Sequence, residues 1–109
     1  MSNNEFFIIE LAAEMQERIG KRYSIIPKVW NKAKIYTIIV YDENLSKSEK
    51  KSQSITFNLV NTTLRATYYR WKFLHLVPPE LSQLFDLGSP NFIDDVIKAI
   101  KYYFHDFNG

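Results

Sequence analysis

The chain has 109 residues, 46% hydrophobic and 16% aromatic against 24% charged, which describes one globular α+β domain over residues 1–109 and excludes a wholly disordered chain. It contains no cysteine, which excludes a disulfide framework, a thiolate nucleophile and cysteine-bound zinc or iron–sulfur sites. The net charge of +2 conceals a segregation: residues 18–72 are +9, while residues 1–17 are −4 and residues 73–109 are −3. Apolar runs are short and no basic stretch precedes one near the N-terminus, so neither a signal peptide nor a membrane span is expected, and the expected compartment is the cytoplasm.

Ser2-Asn3-Asn4-Glu5 has capping-box spacing, and Ile8, Leu11, Ala12, Met15 and Ile19 recur at helical spacing until Gly20, which predicts a helix over about 4–19. Glu14 and Arg18 form an i,i+4 pair on its outer face. Tyr23 to Trp30 reads as extended or looped, and Pro27 restricts any strand there to an edge. Lys34–Asp42 and Ser54–Val60 have strand chemistry and are expected to pair as a hairpin across the polar connection Glu43–Gln53. Asn44 and Asn61 begin glycosylation triplets, but both are read as turn residues. Over residues 63–77 helix and strand compete, and the Thr, Tyr, Trp, Phe and Val content between Arg65 and Val77 decides for strand. After Pro78-Pro79, Leu81, Leu84 and Phe85 predict one short helix ended by Gly88. Ser89 as N-cap with Pro90 opens the last helix, whose apolar stripe is Ile93, Val96, Ile97, Ile100, Phe104 and Phe107.

This order predicts an antiparallel sheet of three to four strands with the N-terminal and C-terminal helices packed on one face. In element order alone it resembles double-stranded-RNA-binding domains and the small Alu-RNA-binding subunits of the signal recognition particle. The Gly- and Lys-rich opening of the last helix in the former is replaced here by Ser89-Pro90-Asn91-Phe92-Ile93-Asp94-Asp95, which repels phosphate. Alternation assigns Ile35, Ile39, Ile55, Phe57, Leu59, Tyr69, Trp71 and Phe73 to the helices. It assigns Lys34, Tyr36, Ile38, Val40, Thr56, Asn58, Tyr68, Arg70 and Lys72 to the opposite, basic and aromatic face.

From that face Lys34, Tyr36, Asn58, Tyr68, Arg70 and Lys72 are the candidate binding residues. The favoured partner is an acidic protein surface or a second copy of the chain, because Ile38 and Val40 add apolar area. The second reading is single-stranded nucleic acid or RNA, with tyrosines stacking on bases and cations on phosphates. Each has an ordinary alternative: for nucleic acid, the tyrosines pack across strands and the cations keep the face soluble, and for protein docking, the segment Tyr23–Trp30 folds over the face and buries it. No catalytic, metal or cofactor residue is assigned: His75 and His105 lie thirty residues apart outside any metal-ligand spacing, Asp94 and Asp95 diverge on a helix, and no glycine-rich phosphate loop exists. An enzyme, the third reading, would be a small hydrolase built around His75 or His105.

Overall fold

The computed structural model describes residues 3–47, 53–72, 75–77 and 82–106, with the side chains of 69–72, 75–77, 82 and 105–106 outside that description. In chain order the elements are α1 (Asn3–Ile19), β1 (Tyr23–Trp30), a 3₁₀ turn (Asn31–Ala33), β2 (Ile35–Asp42), β3 (Gln53–Val60), β4 (Thr63–Lys72), β5 (His75–Val77), β6 (Ser82–Asp86) and α2 (Phe92–Asp106). α1 ends where expected, at Gly20, whose φ of 89° is a left-handed conformation that glycine adopts without penalty. α2 starts two residues later than its sequence suggests, because Ser89 N–H donates to the Asp86 carbonyl and Gly88 N–H to the Asp86 side chain, holding 86–91 in turns.

Every strand pairing is antiparallel, in the order β1-β2-β3-β4. Along the far edge β5 pairs with Arg70–Lys72 and β6 with Thr63–Thr67, so two short segments share the position beside β4 and the sheet is five strands wide. The expectation of three to four strands is corrected at both edges. β1 is a strand despite Pro27, and 82–86 is a strand rather than a helix. The burial of β6 shows the reason: Phe85 is buried while its neighbour Leu84 is exposed, a period of two that three apolar residues cannot announce.

One face of the sheet carries the core. Its rows run Ile25, Val40, Ile55; Ile38, Phe57, Ala66; and Leu59, Leu64, Phe85. α1 adds Ile8, Leu11, Met15 and Ile19, and α2 adds Val96, Ile97, Ile100 and Phe104, to the same cluster. Aromatic contacts tie α2 across the sheet, with Tyr23 and Phe104 ring centroids at 5.4 Å and Tyr68 and Tyr103 at 5.1 Å. Arg18 joins the helices on the outside, bonding Glu14 at 3.2 Å and Asp94 at 2.9 Å, and its exposure keeps that contribution small.

The free edge of β1 is guarded. Gln16 Nε2 donates to the Gly20 and Tyr23 carbonyls at 2.9 and 2.7 Å, and Ile25 N–H donates to Gln16 Oε1 at 3.0 Å. The side-chain amide thus stands in for the peptide group of a neighbouring strand. Successive residues turn their polar groups to opposite edges, so Pro27 shares the free edge with Tyr23 and Ile25 and removes the next donor there. Gln16→Ala is expected to cost about 1–3 kcal/mol in urea unfolding, because it leaves the Ile25 N–H without a partner. Gln16→Glu should not rescue it, since a carboxylate restores the acceptor but faces two carbonyls. A loss under about 0.5 kcal/mol would mean that water replaces the amide at no cost.

Candidate docking face

The face opposite the helices is built from the other parity of each strand. On β1 it presents Ser24, Ile26, Lys28 and Trp30, and on β2 Ile35, Thr37, Ile39 and Tyr41. Trp30 lies opposite Ile35, Lys28 opposite Thr37, and Ile26 opposite Ile39. Ile26, Trp30 and Ile35 are exposed, Trp30 by 61%. Lys28 is exposed on the same strand, and Lys32 and Lys34 are exposed in the turn that follows. The result is an apolar patch at one end of the sheet, its Trp30–Ile35 and Ile26–Ile39 pairs divided by Lys28, with Lys32 and Lys34 exposed in the adjoining turn.

The patch continues into a quieter polar centre. Thr37 Oγ1 donates to Asn58 Oδ1 at 3.0 Å, and Thr37 is buried, so this pair is internally satisfied. Beyond it Asn58 lies opposite Arg65 and Arg65 opposite the exposed Leu84.

The residues assigned to a binding face from sequence do not form one constellation. Asn58 is on the open face. Lys34 closes the 3₁₀ turn, donating its N–H to the Asn31 carbonyl at 3.1 Å with a φ of 54°. Such a conformation is uncommon for a residue other than glycine, asparagine or aspartate. Tyr36 and Tyr68 pack on the helix side: Tyr36 lies against the core, and Tyr68 stacks on Tyr103 and donates its hydroxyl to Gln83 Oε1 at 3.1 Å. Burial raises the Tyr68 pKa, which keeps that hydroxyl protonated and donating. Arg70 and Lys72 belong to β4, but their side chains fall outside the described residues.

The β2 assignment is reversed as a whole. Ile38 and Val40 are fully buried against the helices, whereas Ile35 and Ile39 face outward. Both parities of Ile35–Tyr41 are apolar, so alternation within β2 cannot choose a face; its register against Ile55 and Phe57 does. Of the residues that build the patch, Ile35 is missed for that reason, whereas Ile26, Lys28 and Trp30 are missed because Pro27 leaves Tyr23–Trp30 open between extended and looped. Their signal was the alternation Ile26, Lys28, Trp30 in the segment interrupted by Pro27.

Elsewhere among the described residues, several polar groups hold turns and strand ends together. Asp42 is buried, accepting from Arg22 at 3.2 Å and from the Asn44 N–H at 3.0 Å, and the Arg22 pKa is raised chiefly by that hydrogen bond. The Ser24 hydroxyl donates to Glu43. Among the described residues no three acidic or histidine side chains group as a metal site, and no helix is long and apolar enough to cross a membrane. The side chains of His75 and His105 lie outside the described residues. Comparison with protein families, with curated proteins and with solved structures finds no match to this chain.

Proposed function

We propose that this protein is a non-enzymatic docking module whose open sheet face takes an acidic, partly apolar protein surface. The observation that carries the reading is the exposed Trp30, opposite Ile35 and next on the same face to the exposed Lys28, with Lys32 and Lys34 exposed in the turn that follows. An aromatic anchor with an apolar surround supplies binding energy, while cations at the rim select an acidic partner and speed its approach. Nucleic acid is the weaker reading now that Tyr36 and Tyr68 pack toward the helices, because the proposed stacking platform is not on the open face.

The test is a random peptide library selected against the full chain, alongside a labelled single-stranded oligonucleotide titrated at low salt. Selected peptides should combine Asp or Glu with apolar residues and lose about 30-fold in affinity to Trp30→Ala, as expected when a central aromatic anchor is removed. Failure to enrich acidic peptides, affinity that ignores Trp30, or oligonucleotide binding that depends on Trp30 would each overturn the reading.

A further inference from the structure

α1 presents a second apolar stripe, away from the core. Phe6, Ile9 and Ala13 are all exposed, Phe6 by 54%. At helical spacing they lie within about 60° of one another. Glu10 and Glu17 are exposed beside them, while Glu14 is paired with Arg18, and residues 1–17 contain no Lys or Arg. This surface is the electrostatic complement of the docking patch: apolar with an acidic flank, where the patch is apolar with a basic rim. The two lie on opposite faces of the sheet, since α1 packs its Ile8, Leu11 and Met15 against the core side. One chain therefore cannot bring its own stripe to its own patch.

Resting on the docking reading above, we propose that the occupant of the open face is the α1 stripe of a second copy, docked head to tail. Charge selects this arrangement over the symmetric ones. Patch against patch sets Lys28 and the neighbouring turn lysines against their own copies, and stripe against stripe sets Glu10 and Glu17 against theirs. Stripe on patch aligns opposite signs around an apolar centre. Edge-to-edge pairing through β1 is also closed, by the Gln16 amide and Pro27. The whole open face of five strands about eight residues long offers roughly 500 Å² of projected area, already near the lower limit for a specific contact, and the patch is its β1–β2 part, so weak association in the upper micromolar range is expected. Because the contact is heterologous, a bound pair still offers one free patch and one free stripe, and the assembly extends or closes into a ring.

Sedimentation of the full chain from about 1 to 300 μM tests this, that range bracketing the micromolar association expected. The wild-type protein should grow beyond a dimer with concentration. Trp30→Glu disables the patch and Phe6→Lys with Ile9→Lys disables the stripe; all three sites are exposed, and unchanged melting of each variant shows that it folds. Each variant alone should remain a monomer. Mixed in equal amounts they should form a dimer and nothing larger, because each retains one intact surface. A wild-type monomer across the range, a stripe variant that still dimerises alone, or a mixture that stays monomeric would overturn the proposal. Acidic peptides that bind through Trp30 to a chain that remains monomeric would sink self-docking and leave the docking face standing. Loss of both would remove both.

Discussion

Val40→Lys should destabilise the protein by about 4.5–8 kcal/mol, enough to unfold it over the lower half of the usual stability range, whereas Ile39→Lys, one residue away, should keep its fold. Val40 is fully buried between Ile25 and Ile55, on the face covered by the helices. Replacing it forfeits the roughly 1.5–3 kcal/mol of a buried aliphatic side chain and leaves an ammonium without a partner, worth about 3–5 kcal/mol more. Against a total stability of about 5–15 kcal/mol, that sum of roughly 4.5–8 kcal/mol removes most or all of it over the lower half of the range. Ile39 is only partly buried, on the open face opposite Ile26 and Thr56. A lysine there lays its stem along the neighbouring side chains and keeps its charge in water. Circular dichroism with urea titration of both variants checks this. A folded Val40→Lys beside an unfolded Ile39→Lys would mean that β2 faces the other way.

Phe57→Ala is expected to destabilise the protein by about 3–5 kcal/mol, the cost of removing a fully buried aromatic side chain and leaving a cavity. Phe57 lies opposite Ile38 on one neighbouring strand and Ala66 on the other, with its ring 6.3 Å from that of Phe85. It joins the central strands to β6, so the void opens where three strands meet and the backbone can close little of it. Phe57→Leu, which keeps much of the volume, should recover more than half of the loss. Urea unfolding measures both. An alanine variant within about 1 kcal/mol of wild type would mean that helix α2 moves in to fill the space.

The two helices were legible in the sequence because each writes its buried stripe in one uninterrupted run. Ile8, Leu11, Met15 and Ile19, and then Val96, Ile97, Ile100 and Phe104, are the residues that the fold buries. β3 was legible for a similar reason: Ile55 and Phe57 alternate with Thr56 and Asn58, and the apolar set is the buried one. Asn44 and Asn61 were rightly placed in turns, the latter with a φ of 55° that asparagine tolerates. Two further features were set by the residues alone, the segregation of charge and the restriction of β1 to an edge by Pro27.

The tertiary structure decided which side of β2 is inside, that 82–86 extends along β4, and where the binding-face residues lie. A strand with apolar residues at every position carries no preference of its own between two faces, and a segment of five residues carries too little periodicity to choose between helix and strand. Both are settled by pairing. Register against β3 places Ile38 and Val40 beside Phe57 and Ile55, and register against β4 places Phe85 beside Leu64. Those rows bury the larger apolar set under the helices and leave Ile26, Trp30 and Ile35 outside. The exposed patch was therefore invisible strand by strand, because it is a property of which strands are neighbours and in what alignment.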